Sequence, residues 1–214
     1  MTATVIAYLD AQPTDRILDI GCGDGKLTLE IAKTAHNGHV LGLDSSASMI
    51  ETGIGLARAS GTTNCSFAVE DCATISSTGA SKILNGSWDK VFSNAAFHWI
   101  LRRPESRVQA LKAAFSALRP GGKFVFECGG FGNVAELQTA LLASLVAFGV
   151  PLSRARELIP WFFASEDWMR NTLSGIGFHV DKIETEYRPT LLTPKAQYGG
   201  GLDGWVRLSI FYLE

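Results

Sequence analysis

The sequence has almost no excess charge of either sign, and this balance bears on which partners to expect. Its 19 Lys and Arg residues stand against 21 Asp and Glu residues, which leaves a formal net charge of −2. Proteins that bind nucleic acid or anionic membranes concentrate positive charge on one face. We therefore expect neither a nucleic acid nor a membrane surface among the partners of this chain.

The chain also lacks a hydrophobic run long enough for a membrane span. Its most apolar stretch, Leu137 to Leu152, covers about 16 residues and is interrupted by Ser144, Gly149 and Pro151, whereas a span needs about 20. The first ten residues have neither the basic start nor the apolar core of a secretory signal. These features indicate a buried helix and, by default, a cytoplasmic location.

Cysteines are few and widely spaced. None of the four lies at metal-ligand spacing from another, so we expect reduced thiols, no disulfide and no metal site. The four are Cys22, Cys65, Cys72 and Cys128.

Short apolar runs rich in Val, Ile and Phe alternate with helical patterns along the first half of the chain. This alternation predicts an α/β fold with a mostly parallel sheet and crossover helices, as in Rossmann-like doubly wound proteins. The strand candidates are Arg16 to Ile20, His39 to Leu43, Ser66 to Val69, Lys90 to Ser93 and Lys123 to Glu127.

At this length the chain is expected to form a single domain over residues 1–214. Helices are predicted over 26–35, from about Ser46, and over about 104–118. The core would cover about 5–128, and a helical, aromatic insertion over about 129–175 would roof a pocket. Residues 178–190 alternate again and predict a sixth strand.

The strongest local signal is an apolar strand that runs into closely spaced glycines and then a helix, over residues 17–26. Such turns form ligand clefts at the carboxyl ends of parallel strands. A dinucleotide site needs the spacing G-x-G-x-x-G, but here the third glycine comes one residue early. Asp24 lies within the loop and is a poor neighbour for a phosphate. A positively charged, phosphate-free nucleoside fits better, and S-adenosylmethionine (SAM) is one.

Acidic residues follow the next two strands. Asp44 lies about 20 residues after the glycines, where a ribose-binding carboxylate is expected, although it can also simply begin a turn. Asp71 and Cys72 follow the third strand and are candidates for adenine contacts. Met49 is a candidate for the adenine face, with a place in the core as the equal alternative.

These residues carry a resemblance to a known family. Residues 18–25 and 43–50 resemble the first two motifs of class I SAM-dependent methyltransferases. Residues 88–99, which end in Asn-Ala-Ala-Phe-His-Trp, resemble the fourth-strand segment of the trans-aconitate methyltransferase-like group. The resemblance covers residues 5–126. It implies SAM as methyl donor, S-adenosylhomocysteine (SAH) as product and a small-molecule acceptor, with a carboxylate such as trans-aconitate as first candidate.

The resemblance also implies residue roles. The glycine loop would line the methionine portion of SAM. Asp44, after the second strand, would bind the ribose, and Asp71 and Cys72, after the third strand, would contact the adenine. Ser93 and Asn94 would lie near the transferring methyl group. The expected cofactor site comprises Asp19, Gly21, Cys22, Gly23, Asp24, Asp44, Ser45, Met49, Asp71, Cys72, Ser93 and Asn94.

Methyl transfer to a carboxylate needs no base, whereas transfer to a hydroxyl or thiol benefits from one. His98 is the candidate base, with Asn94 as the second candidate catalytic residue; packing against Trp99 is the alternative for His98. The residues Phe97, Trp99, Trp161, Phe162 and Phe163 form either an acceptor pocket or core. Arg102 and Arg103 are candidates for a carboxylate clamp or solvated surface.

Family members carry a helical segment before the first strand and a last antiparallel strand. Because the chain begins about 15 residues before its first strand candidate and ends at Glu214, both pieces are expected to be absent or short. A SAM-binding pseudo-enzyme or truncated isoform is therefore one alternative, and an O- or S-methyltransferase of secondary metabolism is another. The oligomeric state is expected to be a monomer or homodimer.

Overall fold

The computed structural model describes residues 2–75, 82–189, 191 and 201. Its centre is a five-stranded, fully parallel sheet in the order β3-β2-β1-β4-β5, so the predicted α/β, doubly wound class is confirmed. The strands are β1 Arg16–Ile20, β2 His39–Asp44, β3 Cys65–Val69, β4 Trp88–Asn94 and β5 Leu118–Glu127. In this order the chain reverses direction across the sheet between β1 and β4, which opens a crevice at their carboxyl ends.

Eight helices are described. They are α1 Thr2–Leu9, α2 Lys26–Thr34, α3 Ala47–Ser60, α4 Phe97–Ile100, α5 Arg107–Ala117, α6 Ala135–Ala147, α7 Leu152–Glu157 and α8 Glu166–Ile176. Of the helices predicted, the first matches α2 within one residue. The second matches α3, which begins after Ser46, whose hydroxyl accepts the Met49 N–H as an N-cap. The third begins later than predicted, at Arg107.

The two faces of the sheet bury separate hydrophobic clusters, because successive strand residues point to opposite faces. Ile17 and Phe92 belong to one cluster, and Leu18 and Val91 to the other; all four are fully buried. Burial of a side chain of this size stabilises the fold by about 1.5–3 kcal/mol.

Helix α1, of eight residues, occupies the position before β1 at which a helical segment was predicted to be absent or short. Its Val5 and Leu9 are buried against Ile17 and Phe92, on the face of the sheet that α2 also covers. The helix thus packs on the sheet, and none of its described side chains lines the cleft described below.

The segment after β5 contains the helices α6, α7 and α8 and several aromatic residues. It returns to the sheet through an isolated parallel bridge between Gly130 and Ala164 and through α8, whose Met169 and Leu173 are buried. The apolar stretch from Leu137 was predicted to be a buried helix, and this prediction is wrong: it forms most of α6, none of whose residues is buried.

The predicted sixth strand is wrong over residues 178–189, which form no ladder with the sheet. The alternation has another cause: Phe178, Val180 and Ile183 pack against the core from an extended segment that pairs with no strand among the described residues. Hydrophobic alternation indicates which side chains face the core, but it does not show whether the backbone pairs with another strand. Thr190 lies outside the described residues. Within the described part of the chain, no helix is both long and apolar enough to cross a membrane.

Candidate active site

A cleft of about 440 Å³ lies at the carboxyl ends of the central strands, within the size range of small-molecule sites. All the residues predicted for the cofactor site border it except Ser93. The lining consists of Asp19, Gly21, Cys22, Gly23, Asp24, Lys26, Leu27, Asp44, Ser45, Met49, Glu70, Asp71, Cys72, Asn94, Ala95, Ala96, Trp99 and Ile100.

The glycine loop forms the floor of this cleft. The N–H groups of Gly21 and Cys22 both donate to the Leu43 carbonyl, at 2.8 and 2.9 Å, which fixes the loop against β2. Gly21 and Gly23 have φ values of 72° and 56°, a region that disfavours other residues. A β-carbon at Gly21 would lie 2.2 Å from that of Ala96, whereas one at Gly23 would meet nothing within 4 Å. Packing therefore requires glycine at 21, and Gly23 leaves open space for a ligand.

Three further glycines make room for one aromatic ring beneath the loop. A β-carbon added at Gly25, Gly42 or Gly53 would lie 2.5, 2.8 or 3.0 Å, respectively, from the ring of Phe67. The ring of this β3 residue thus occupies a slot formed by the loop, β2 and α3.

Asp44 is positioned by two backbone donors at the end of β2. Its Oδ2 accepts the Gly23 N–H and its Oδ1 accepts the Ser46 N–H, both at 2.9 Å. A carboxylate oxygen can accept two hydrogen bonds, so each oxygen keeps one lone pair for a ligand hydroxyl. This arrangement suits two neighbouring hydroxyls, as on a ribose.

Asp19 is the buried carboxyl group of the cleft. It accepts a hydrogen bond of 2.6 Å from the Thr28 hydroxyl, and only 2% of its surface is exposed. Burial raises its pKa to about 7, opposed by the Thr28 hydrogen bond and assisted by the nearby Asp44 carboxylate. A cation bound in this cleft would favour the ionised form of Asp19.

Asp24 already has a cationic neighbour. Lys26 Nζ lies 2.6 Å from Asp24 Oδ2, and its hydrogen bond is the main cause of the lowered pKa of Asp24. The lysine side chain is 75% exposed, so this ion pair contributes little and leaves Asp24 able to exchange partners.

At the β3 side, Asp71 Oδ1 accepts the Ala73 N–H at 2.9 Å. Cys72 is buried, and desolvation raises the pKa of its thiol, which is therefore protonated at neutral pH. Met49 is 38% exposed and borders the cleft, which places it at the cleft wall and outside the core.

Ser93 and Asn94, at the end of β4, were both expected near the methyl group, but their side chains face opposite sides of the strand. Ser93 is fully buried and its hydroxyl donates to the Ile20 carbonyl at 2.6 Å, so it ties β4 to β1. Asn94 points to the other face and borders the cleft, and its enclosed Oδ1 accepts no hydrogen bond from the described residues. The following Ala95, with φ of 57°, makes the turn into α4.

His98 lines neither this cleft nor the second one described below. Its Nδ1 accepts the Gly129 N–H at 3.2 Å, so the neutral ring carries its proton on Nε2. Burial lowers its pKa to about 4, which leaves the ring neutral at pH 7. The ring lies 5.5 Å from Trp99 and 5.7 Å from Phe163, between centroids.

The aromatic residues predicted to form either an acceptor pocket or core do both: one lies in the core and the others border the clefts. Phe97 is fully buried against Phe124 and Phe126 and belongs to the core. Trp99 meets Trp161 edge-on at 5.6 Å, and these two form a wall beside the cleft. Phe162 and Phe163 border a second cleft, on the α6 side.

Arg102 and Arg103 border neither cleft. The residues that border the first cleft and were not predicted are Lys26, Leu27, Glu70, Ala95, Ala96 and Ile100. The last three lie in or next to α4, a helix too short for its period to show in the sequence. Among the described residues, no group of three or more His, Cys, Asp or Glu side chains is placed to hold a metal ion.

The chain matches known proteins over most of its length. Residues 11–147 match the family model described as a methyltransferase domain. A relative from Schizosaccharomyces pombe, named an uncharacterized methyltransferase, is 38% identical over 192 residues, which cover 90% of this chain and 70% of the relative. The chain belongs to the methyltransferase domain family. It is a SAM-dependent methyltransferase.

Two further comparisons show how far the likeness extends. A trans-aconitate 2-methyltransferase from Deinococcus radiodurans is 34% identical over 116 residues, or 54% of this methyltransferase and 38% of the relative. A solved structure from Haemonchus contortus, an N-methyltransferase in complex with phosphomonomethylethanolamine and SAH, shares the fold with a TM-score of 0.59 at 19% identity. That match covers 83% of this chain and 36% of the other. The trans-aconitate group is thus a distant relative.

The residues of this methyltransferase fit the methyl donor. SAM carries a sulfonium and an ammonium group, and the described lining of the cleft sets five carboxyl side chains against one lysine, which is paired. The open space above Gly23 and the remaining lone pairs of Asp44 suit a close-lying nucleoside.

Proposed function

We propose that this methyltransferase transfers the methyl group of SAM to a small organic molecule. The observation that carries the proposal is the pairing of two clefts across one aromatic wall. The first is acidic and floored by glycines, and the second is apolar and lined by α6 and residues 161–163. A cationic nucleoside suits the first cleft and a small acceptor suits the second.

Each part of the first cleft has a proposed partner on the cofactor. The carboxylate of Asp44 receives the ribose hydroxyls, and Asp71, Cys72 and Met49 border the adenine. The glycine loop, Asp19 and Asp24 hold the methionine portion through close backbone approach and opposite charge. Bound SAM supplies an already activated methyl group.

The protein's own contribution is therefore alignment and exclusion of water. Asn94 borders the first cleft at the end of β4. We place His98 as a positioning residue, because Nδ1 accepts from Gly129 and Nε2 already bears a proton. Through its ring contacts it fixes Trp99 and Phe163, one on each cleft.

The carboxylate acceptor suggested by the resemblance has mixed support. The match to a trans-aconitate 2-methyltransferase favours it, but that match spans 54% of the chain. The acidic lining of the first cleft opposes an approaching anion. No observation on the described residues favours a SAM-binding pseudo-enzyme over an active one.

The test is calorimetric titration of the full chain with SAM and SAH, followed by release of SAH in the presence of candidate acceptors. We expect binding near micromolar, and we expect Asp44→Ala to weaken it by about 1–3 kcal/mol, because the ribose hydroxyls lose their partner. Asp181→Asn, at a carboxylate 80% exposed and far from the cleft residues in sequence, is the control. Absence of SAM binding by the folded protein would refute the proposal.

A further inference from the structure

The second cleft has a chemical character of its own. It is an open cleft of about 350 Å³, large enough for a compact organic molecule, and none of the described residues that line it carries a formal charge. Four of its residues are aromatic, and the polar side chains are Gln138 and Thr139. The lining consists of Phe131, Gly132, Ala135, Gln138, Thr139, Leu142, Trp161, Phe162 and Phe163.

The aromatic wall connects this cleft to the cofactor cleft. Trp99 borders the cofactor cleft and contacts Trp161, which borders the second cleft and stacks on Phe163 with an interplanar angle of 16°. The backbone joins the same parts, because the Phe162 N–H donates to the His98 carbonyl at 2.9 Å. A molecule in the second cleft therefore lies against the wall whose other side faces the methyl donor.

Charge decides which kind of molecule belongs there. The cofactor cleft presents Asp19, Asp24, Asp44, Glu70 and Asp71, and the lysine in its described lining is paired with Asp24. The described lining of the second cleft holds no cation, so an anionic acceptor would approach these carboxylates without a counter-ion there. The Arg107 guanidinium lies 3.6 Å from the centroid of the Phe162 ring, outside that lining, and donates to the Leu101 and Arg102 carbonyls. An uncharged molecule meets no such repulsion, and its apolar surface is removed from water.

The polar groups of the second cleft are few and partly used. The Thr139 hydroxyl donates to the Ala135 carbonyl of its own helix at 2.8 Å, which leaves the Gln138 amide as the main side-chain hydrogen-bonding group. Aromatic side chains favour stacked or edge-on contacts with flat rings. Helix α6 supplies the opposite wall, and since none of its residues is buried, its apolar side is not consumed by the core.

We propose that the second cleft binds the methyl acceptor, and that this acceptor is an uncharged molecule with a flat apolar ring system rather than a carboxylate. The inference rests on the proposed function and deepens it by naming the substrate class. Trp161, Phe162 and Phe163 provide the ring contacts, and Leu142 closes the α6 side.

The experiment uses the full chain and N-phenyl-1-naphthylamine, a neutral flat probe whose fluorescence rises in apolar sites. We expect one probe per chain, with energy transfer from tryptophan because Trp161 borders the cleft. Leu142→Asp should weaken probe binding at least about tenfold, since it places a charge at the apolar wall. Val146→Asp is the matched control: Val146 lies one turn further along α6, is 44% exposed and does not line the cleft.

Competition then tests the charge requirement. We expect 2-naphthol to displace the probe at a concentration at least about tenfold lower than 2-naphthoate, which has the same ring and a carboxylate. Equal displacement, or preference for 2-naphthoate, would overturn the substrate class. Failure of the probe to bind, or equal losses in the Leu142 and Val146 variants, would overturn the assignment of the cleft.

Titration with SAH keeps this inference distinct from the proposed function. If SAH binds but Leu142→Asp leaves the probe unaffected, the acceptor assignment fails and the methyl-donor site stands. If SAH does not bind to the folded protein, the proposed function fails, and the acceptor assignment falls with it even where the probe binds.

Discussion

Replacement of Asp19 by asparagine should increase the stability of this methyltransferase relative to the parent protein as the pH rises. Burial raises the pKa of Asp19 from 3.8 to about 7, so the folded state favours the protonated carboxyl group. The free energy of unfolding therefore carries the full contribution of Asp19 below about pH 4 and loses it as the pH rises through about 7. The difference of about three pKa units corresponds to about 4 kcal/mol, of which about 2–3 kcal/mol falls between pH 5 and pH 8.

Asparagine keeps the acceptor for the Thr28 hydroxyl, which lies 2.6 Å from Asp19 Oδ2, and cannot ionise. We therefore expect the difference in unfolding free energy between Asp19→Asn and the parent protein to grow by about 2–3 kcal/mol from pH 5 to pH 8. Urea denaturation of the ligand-free protein, followed by circular dichroism, measures it at each pH. Contributions from titrating groups that do not interact with Asp19 cancel in the difference between the two proteins.

Asp181→Asn is the control, because its side chain is 80% exposed and its replacement should leave the difference constant. The reasoning would be refuted by a gap between Asp19→Asn and the parent that stays the same at pH 5 and pH 8. Such a result would mean that Asp19 is ionised in the folded protein already at pH 5.

Three further expectations follow from the same site. SAM binding at pH 7 should release protons, seen as a dependence of the calorimetric enthalpy on the buffer, because the cation favours ionised Asp19; equal enthalpies in all buffers would contradict this. His98→Ala should lower turnover more than SAM affinity, since His98 positions both sides of the aromatic wall; unchanged turnover at saturating SAM would make it dispensable. The melting temperature of Gly23→Ala should lie close to that of the parent protein, while its SAM binding is lost. The melting temperature of Gly21→Ala should be clearly lower, because its β-carbon would overlap that of Ala96. Equal melting temperatures for the two would remove this distinction.

The grouping of residues around the first cleft was predictable because parallel strands end at one edge of a sheet. Asp19, Asp44 and Asp71 lie at the ends of or just after β1, β2 and β3, so their strands alone brought them together. For Ser93 and Asn94 the position at a strand end is not sufficient to predict which side chain lines the cleft. Neighbouring residues of a strand face opposite sides, and the sequence does not say which of the two faces the ligand.

Other features needed the tertiary structure. The proton position on His98 depends on the Gly129 N–H, which lies 31 residues further along the chain. The pairing of Lys26 with Asp24 depends on the exact turn after the glycine loop. Residues 178–189 alternate like a strand because one side packs on the core, and only the backbone shows that no partner strand lies beside them in the described part of the chain.

The contacts around the Phe67 ring couple four positions that are far apart in the sequence. Gly25, Gly42 and Gly53 all lie against this one ring. While the phenylalanine remains, a β-carbon at Gly25 or Gly42 would overlap the ring, and one at Gly53 would force it to move by a few tenths of an ångström. A smaller residue at 67 would remove this contact at all three positions. A β-carbon at Gly42 would still lie 2.9 Å from Cys22 Sγ, and Gly25 would keep its positive φ of 75°. Among homologues we therefore expect these sites to vary together, with larger residues at 42 or 53 appearing only where position 67 has become small.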